Sequence, residues 1–248
     1  MSRIRSIIKG SGHYLPSLLV KNSSFEKNTF HNEDGTLFPS SGSEIIQKFH
    51  TITGIKERRY LTEDLQSSDM AAIASEKAIL NSGIDRESID HIIIAHNFGD
   101  IQSDKSIPEM MPSLGAKVKN KLGIKNPNCV CYDIIFGCPG WVQAMIQADV
   151  YIKSGYAKTC LVVGTESLSR MVDPTDRDAM IFSDGAGAVI VTALESDKEV
   201  GIINHSSITH AAQDLNYLTM GGSNKKGDDD NLYIKMKGRK IYNYALLE

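Results

Sequence analysis

Between Asn128 and Gly155 the chain reads NCVCYDIIFGCPGWVQAMIQADVYIKSG, and its hydrophobic period changes midway. An apolar run through Val130, Tyr132, Ile134 and Ile135 reads as a buried strand and stops at Phe136-Gly137. Apolar residues then recur at helical spacing, at Trp141, Met145, Ala148 and Ile152, until Gly155 ends the pattern. A strand, a sharp turn and a helix follow one another, and Cys138 sits in the turn.

A thiol attacks as its thiolate, and the unpaired N–H groups at a helix start favour negative charge there. Gly137 and Gly140 on either side of the Cys138-Pro139 pair permit a tight turn and leave the sulfur accessible. The layout is a cysteine counterpart of the strand–turn–helix elbow that presents the serine of many hydrolases. The competing reading is an inert, buried cysteine, the commoner fate of a free thiol.

Composition narrows the partners. With 248 residues there is room for a sizeable core, and a formal net charge of −3 leaves no basic footprint for nucleic acid or an anionic membrane. Four cysteines do not make a disulfide framework in a chain this long, and three lie in apolar, strand-like runs, which suits a reducing compartment. Lys9, Gly10 and His13 interrupt any signal-peptide run, and no segment approaches about 18 continuous apolar residues. The expected location is the cytoplasm.

Along the chain, residues 3–9 predict a first strand, GSGHYLP (10–16) a turn, and 21–43 a polar surface excursion. A short helix is expected over 44–50, and TGIKERRY (53–60) reads as a solvated basic face. Ser67 or Ser68 can cap a helix that runs to Asn81 and closes at Gly83. HIIIAH (91–96) looks like a doubly covered strand; its His91 and His96, even with Asp100, complete no metal-ligand spacing. A helix following Pro112 ends at Leu122-Gly123, and TCLVVGTES (159–167) is a further strand. IFSDGAGAVIVTAL (181–194) reads as a strand pair around a glycine turn; DGAG lacks the third glycine, and the helix to follow, of a dinucleotide loop. Cys129 and Cys131 share a strand face as core thiols. Residues 201–209 predict a strand opening a new unit, 221–231 a solvated loop, and MKGRKIYNYALLE a helix without a cap after it. Strands alternating with helices predict an α/β fold, with a mixed, mostly parallel sheet covered by helices on both faces.

GSGHYLP, TGIKERR, the LGIK of 122–125, the Cys138 turn, YIKSG (151–155), LVVG (161–164), DPTDR (173–177), FSDGAGA (182–188) and MKG (236–238) stand in one order. In that ordered set the chain resembles the 3-oxoacyl-acyl-carrier-protein synthase III family, of the thiolase fold, over almost its entire length. The resemblance implies a complete first half over 1–195 that bears the nucleophile, and a second half, begun over 196–248 and expected to be truncated. It implies a condensing enzyme of fatty-acid or related biosynthesis. Cys138 would take an acyl primer as a thioester, and malonyl on an acyl carrier protein would lose carbon dioxide and attack it. A homodimer is expected, with no metal and no cofactor.

In the family, a histidine and an asparagine within motifs resembling PHQAN and GNTS stabilise the carbanion, and neither motif occurs in these residues. His205 and His210 lie in no such pattern, so condensation by this chain alone is not expected. The family's coenzyme A site has a tryptophan and an arginine ahead of TGI that align with Lys48 and Ile52; only Arg177, in DPTDR, remains as a substrate-binding candidate. GCPGW replaces the more usual A-C-A-G-F, and the 17–43 loop is enlarged. Priming from an acyl carrier protein rather than from coenzyme A is therefore expected. Other readings are an acyltransferase on the same fold, a silent partner subunit, which typically loses the cysteine, and a cysteine hydrolase of another fold.

Overall fold

The computed structural model describes residues 3–101, 107–227 and 230–247, Leu247 by its backbone alone. In chain order its elements are β1 (Arg3–Tyr14), β2 (Leu18–Lys21), α1 (Gly42–Thr53), β3 (Glu57–Tyr60), α2 (Ser67–Ser82), β4 (His91–His96), β5 (Asp100–Ile101), β6 (Pro108–Glu109), α3 (Leu114–Lys121) and β7 (Val130–Ile135). They continue with α4 (Gly140–Lys153), β8 (Thr159–Glu166), β9 (Gly185–Ser196), β10 (Leu218–Gly221), β11 (Tyr233–Met236) and α5 (Gly238–Leu247).

Five strands form the central sheet in the order β1-β9-β8-β4-β7. β4 runs parallel to β7 and β8, while β9 pairs antiparallel with β8 and β1. Alternate side chains leave opposite faces of a strand, and each face meets helices. On one side Ile92, Ile94, Leu161, Val163 and Ile190 pack against Met70, Ala74 and Ala78 of α2 and Leu114 and Val118 of α3. On the other, Ile93, Val162 and Val191 pack against Ala144, Met145, Ala148 and Ile152 of α4. The helical spacing read from Trp141 to Ile152 is thus the face that α4 buries. Among the described residues no helix is long and apolar enough to cross a membrane.

Several local expectations are corrected. GSGHYLP is not a turn: β1 continues through Tyr14. Its glycines serve close approach to α2, since a Cβ at Gly10 would lie 2.5 Å from the Ser82 nitrogen and one at Gly12 2.2 Å from the Ala74 oxygen. Glycines 185 and 187 likewise lie inside one long strand, β9, so the expected strand pair does not form. Ser113, not Pro112, caps α3. At α2, Ser68 gives its N–H and hydroxyl to Asp100, and the capping residue is Gln66, whose N–H goes to Asp69.

TGIKERRY is only partly solvated. Arg58 is buried, with its guanidinium over the rings of Phe25 and Phe49 and one nitrogen 2.6 Å from the Asn22 Oδ1. β7 is less buried than its apolar run suggests, because it is the edge strand: Val130 is 48% and Ile135 59% exposed. Residues 201–209 form no strand, having no ladder partner among the described residues; extended chain needs one to count as sheet. In the 221–231 loop Ser223 and Asn224 are buried on Asp173, while residues 228–229 lie outside the described ones.

Candidate active site

The Cys138 turn caps the edge of the sheet where the parallel strands end. Gly137 has φ of +71°, a left-handed conformation that only glycine adopts without strain. The Gly140 N–H closes the turn on the Gly137 oxygen at 3.0 Å, and Pro139 occupies the position before α4. The helix start is seated closely on the sheet. A Cβ at Gly140 would be 3.2 Å from the Ala95 Cβ, and one at Gly164 3.3 Å from Trp141. Small residues at these points let α4 begin directly above β4 and β8. Cys138 is left exposed at the open end.

The other three thiols differ in kind. Cys129 and Cys160 are buried, and loss of water pushes their thiols up, to about 11 and about 12. Cys131 is half-buried, on the α2 side with Cys129, and burial raises it too. All four cysteines are free. The exposed thiol is the one beside the start of α4.

Around the same end of the sheet lies a polar layer of which sequence reading weighed only His96, as a metal ligand. His96 contacts Asp133 through Nε2 at 3.0 Å and accepts the Gly99 N–H at Nδ1. Burial works to raise the Asp133 pKa, but His96 and the N–H groups of Gly115 and Leu114 outweigh it and hold the carboxyl low. Asn97 gives its backbone and side-chain N–H groups to Glu166 Oε2 at 2.7 and 2.8 Å. Burial pushes the Glu166 carboxyl up, only partly offset by Asn97. Position was the available signal: each of these residues lies in or just after the last turns of chain of β4, β7 or β8, the end where open α/β sheets place their ligands.

Arg177 stands elsewhere, exposed at the start of a short 3₁₀ turn, Arg177–Ile181, its guanidinium 4.4 Å over the ring of Phe38. Phe38 comes from the enlarged excursion. Lys48 and Ile52 are exposed on α1, one turn apart. His205 lies 3.5 Å from Asp149 of α4, and His210 packs edge-on to Tyr244. His91 is buried among Tyr132, Tyr151 and Tyr156. Among the described residues no three His, Cys, Asp or Glu side chains are grouped to hold a metal ion.

A mixed five-stranded sheet with helices on both faces is one half of a thiolase-like fold. Sequence comparison makes this specific. The family model for 3-oxoacyl-[acyl-carrier-protein (ACP)] synthase III matches residues 132–211. A beta-ketoacyl-[acyl-carrier-protein] synthase III 1 from Vibrio parahaemolyticus is 37% identical over 98% of this chain and 68% of its own. The corresponding protein of Methylococcus capsulatus is 36% identical over 99% of this chain and 69% of its own. The crystal structure of 3-oxoacyl-[acyl-carrier-protein] synthase III from Aquifex aeolicus superposes with a TM-score of 0.74 at 31% identity, over 96% of this chain and 67% of that one. The Pseudomonas aeruginosa enzyme, at 23% identity and a TM-score of 0.76, shares the fold. The chain belongs to the beta-ketoacyl-acyl-carrier-protein synthase III family, and spans about two-thirds of the length of these relatives.

Proposed function

We propose that Cys138 is the nucleophile of a synthase III-type condensation, accepting an acyl primer as a thioester before attack by the carbanion from a malonyl carrier protein. One observation carries this: Cys138 alone among the four thiols is both exposed and set at a helix start. Thiolate attack on a thioester exchanges one carrier thiol for another, so loading needs no cofactor. Residues 1–195 act as the nucleophile-bearing half and 196–248 as the opening of a second. Arg177 acts as a substrate-binding residue. Free thiols throughout suit the cytoplasm.

A dimer is the expected assembly. Among the described residues β7 has no partner on its outer edge; Val130 and Ile135 on it and Phe136 just after it are exposed, and the strand has no proline or lysine to blunt it, which favours pairing with a second copy. Light scattering that finds only a monomer would count against this.

Mass-spectrometric mapping tests the nucleophile. With limiting iodoacetamide at neutral pH, Cys138 is expected to react at least about tenfold faster than Cys129, Cys131 or Cys160. With acyl thioesters it is expected to gain the acyl group, and Cys138→Ser to gain none. Faster reaction at any other cysteine removes the basis of the site. No PHQAN- or GNTS-like motif occurs in the chain, so loading without any 3-oxoacyl product from malonyl carrier protein is expected. Product formation would relocate the carbanion-stabilising groups. A silent partner subunit is disfavoured by the retained cysteine.

A further inference from the structure

Two aspartates of one loop, Asp173 and Asp178, meet opposite environments. Asp173 is buried among donors that hold its carboxyl low. Asp178, half-buried in the Arg177–Ile181 turn, gives its backbone N–H to Asp176 Oδ1 at 3.0 Å. Among the described residues no hydrogen bond or ion pair reaches its side chain.

The surroundings of that side chain are tightly packed. The crevice it shares with Val172, Asp176, Phe182, Ile234 and Met236 has no room for a water molecule. β11 forms one wall, bridging to Val172 and giving the Ile234 N–H to the Met171 oxygen at 2.8 Å. Directly after β11 comes α5, and its first residue is seated on the carboxyl: a Cβ at Gly238 would lie 3.0 Å from Asp178 Oδ2. The rest of α5 has little else to hold it, with Arg239, Lys240, Tyr242, Asn243, Ala245 and Leu246 all exposed.

The charges that face Asp178 are mixed. Asp176 and, from the excursion, Glu33 repel a charge there, while Arg177 and Lys235 of β11 attract one. Lys235 is already committed to Asp173. At the start of α5 the N–H groups of Lys240 and Ile241 go to the Lys237 oxygen. Against α5 itself stand two further titratable residues, His210, edge-on to Tyr244, and Tyr217, whose oxygen takes the Lys237 N–H. Loss of water and the neighbouring carboxylate outweigh the cations, and the Asp178 carboxyl is pushed up to about 6.

We propose that Asp178 is a proton-operated seat for α5: with the carboxyl neutral, β11 and α5 close on the Arg177–Ile181 turn, and with it ionised they loosen. In the unseated chain the group returns toward its ordinary 3.8, so seating takes up a proton between there and about 6. The hold on α5 is therefore full below 3.8 and lost as pH rises through about 6.

Hydrogen exchange of this chain at pH 5 and pH 7 tests the seat, with each α5 amide expressed as a protection factor so that the intrinsic pH dependence of exchange cancels. Protection in α5 is expected to be about three- to tenfold higher at pH 5. Asp178→Asn, neutral at every pH and of the same shape, should give the pH 5 level of protection at both, and Glu33→Gln should narrow the difference. His210→Phe, which removes the competing titration, should leave the difference in place. A pH dependence that survives in Asp178→Asn or vanishes in His210→Phe overturns the proposal. Equal protection of the parent at both pH values overturns it too, as does Asp178→Asn protection that falls at both while the amides of β4 and β8 stay protected. Should the Asn variant not fold, a carbon-13 titration of the parent still decides: a midpoint near 3.8 for the Asp178 carboxyl sinks the idea.

Discussion

The two faces of the sheet are made of the same kinds of residue but are covered to different degrees. On the α2 side the strands meet two helices, and Ile92, Ile94, Leu161 and Ile190 have no exposure at all. On the α4 side Ile93, Val162 and Val191 are equally buried, yet Ile8, which pairs with Val191, is 52% exposed. Beside Trp141 a groove of about 450 Å³ opens, lined by Ser11, His13, Gly164, Gly187 and Val189. Alternation along a strand says that both faces want cover; it does not say which element supplies it.

Adjacent glycines give the largest expected contrast. Gly12→Ala should cost about 3 kcal/mol or more, because the added methyl meets the α2 backbone, which cannot give way as a side chain would. Gly187→Ala, opposite His13 with nothing within 4 Å, should change stability by no more than about 0.5 kcal/mol. Urea titration of both variants decides. Similar losses would mean that the α4 face is filled in solution.

Core truncation should sharpen the contrast at smaller amplitude. Ile92→Ala is expected to cost about 2–5 kcal/mol, and Ile8→Ala less than about 1 kcal/mol. A costly Ile8→Ala would place a partner over that face.

The smallest effect is a pH dependence at the far end of α4. Burial lowers the His91 pKa below its ordinary 6.5. The unfolded chain then takes up a proton as pH falls through 6.5 and the folded chain does not, so His91's contribution to stability is present above 6.5 and lost below it. Denaturation midpoints from pH 7 to 5 should fall less steeply in His91→Phe than in the parent. Parallel slopes would show that the imidazole stays solvated.

Legibility in the sequence tracked the range of the interaction. The change of period between Ile135 and Trp141 is local, and both elements and the turn appear where it places them. The caps at Gly83 and the run HIIIAH are local too. Glycines 10 and 12 were read as a turn because their reason, the backbone of α2, lies more than sixty residues away. Arg58 was read as solvated because Phe25 and Phe49 cannot be seen to converge on it from spacing. Of the candidate site, the nucleophile position was legible, while Asn97 and Glu166 became visible only when strands β4 and β8 lay side by side. Arg177 was named from a motif, but its contact with Phe38 belongs to an excursion with no pattern of its own.

Asp173 carries a consequence for the order of events in folding. Its carboxylate gathers the N–H and hydroxyl of Thr175, the hydroxyl of Ser223, the N–H of Asn224 and the ammonium of Lys235. Burial alone would raise its pKa; these donors hold it low. Three of the partners lie 50 to 62 residues downstream, and the segment that holds them has little apolar anchorage beyond Tyr233. Such a knot closes a long loop before any contact rewards it, so it should tie after the sheet has formed and loosen before the sheet does. Protease cuts would then appear between residues 222 and 232 while the amides of β4 and β8 are still protected from exchange, and the chain's tail would detach as a unit.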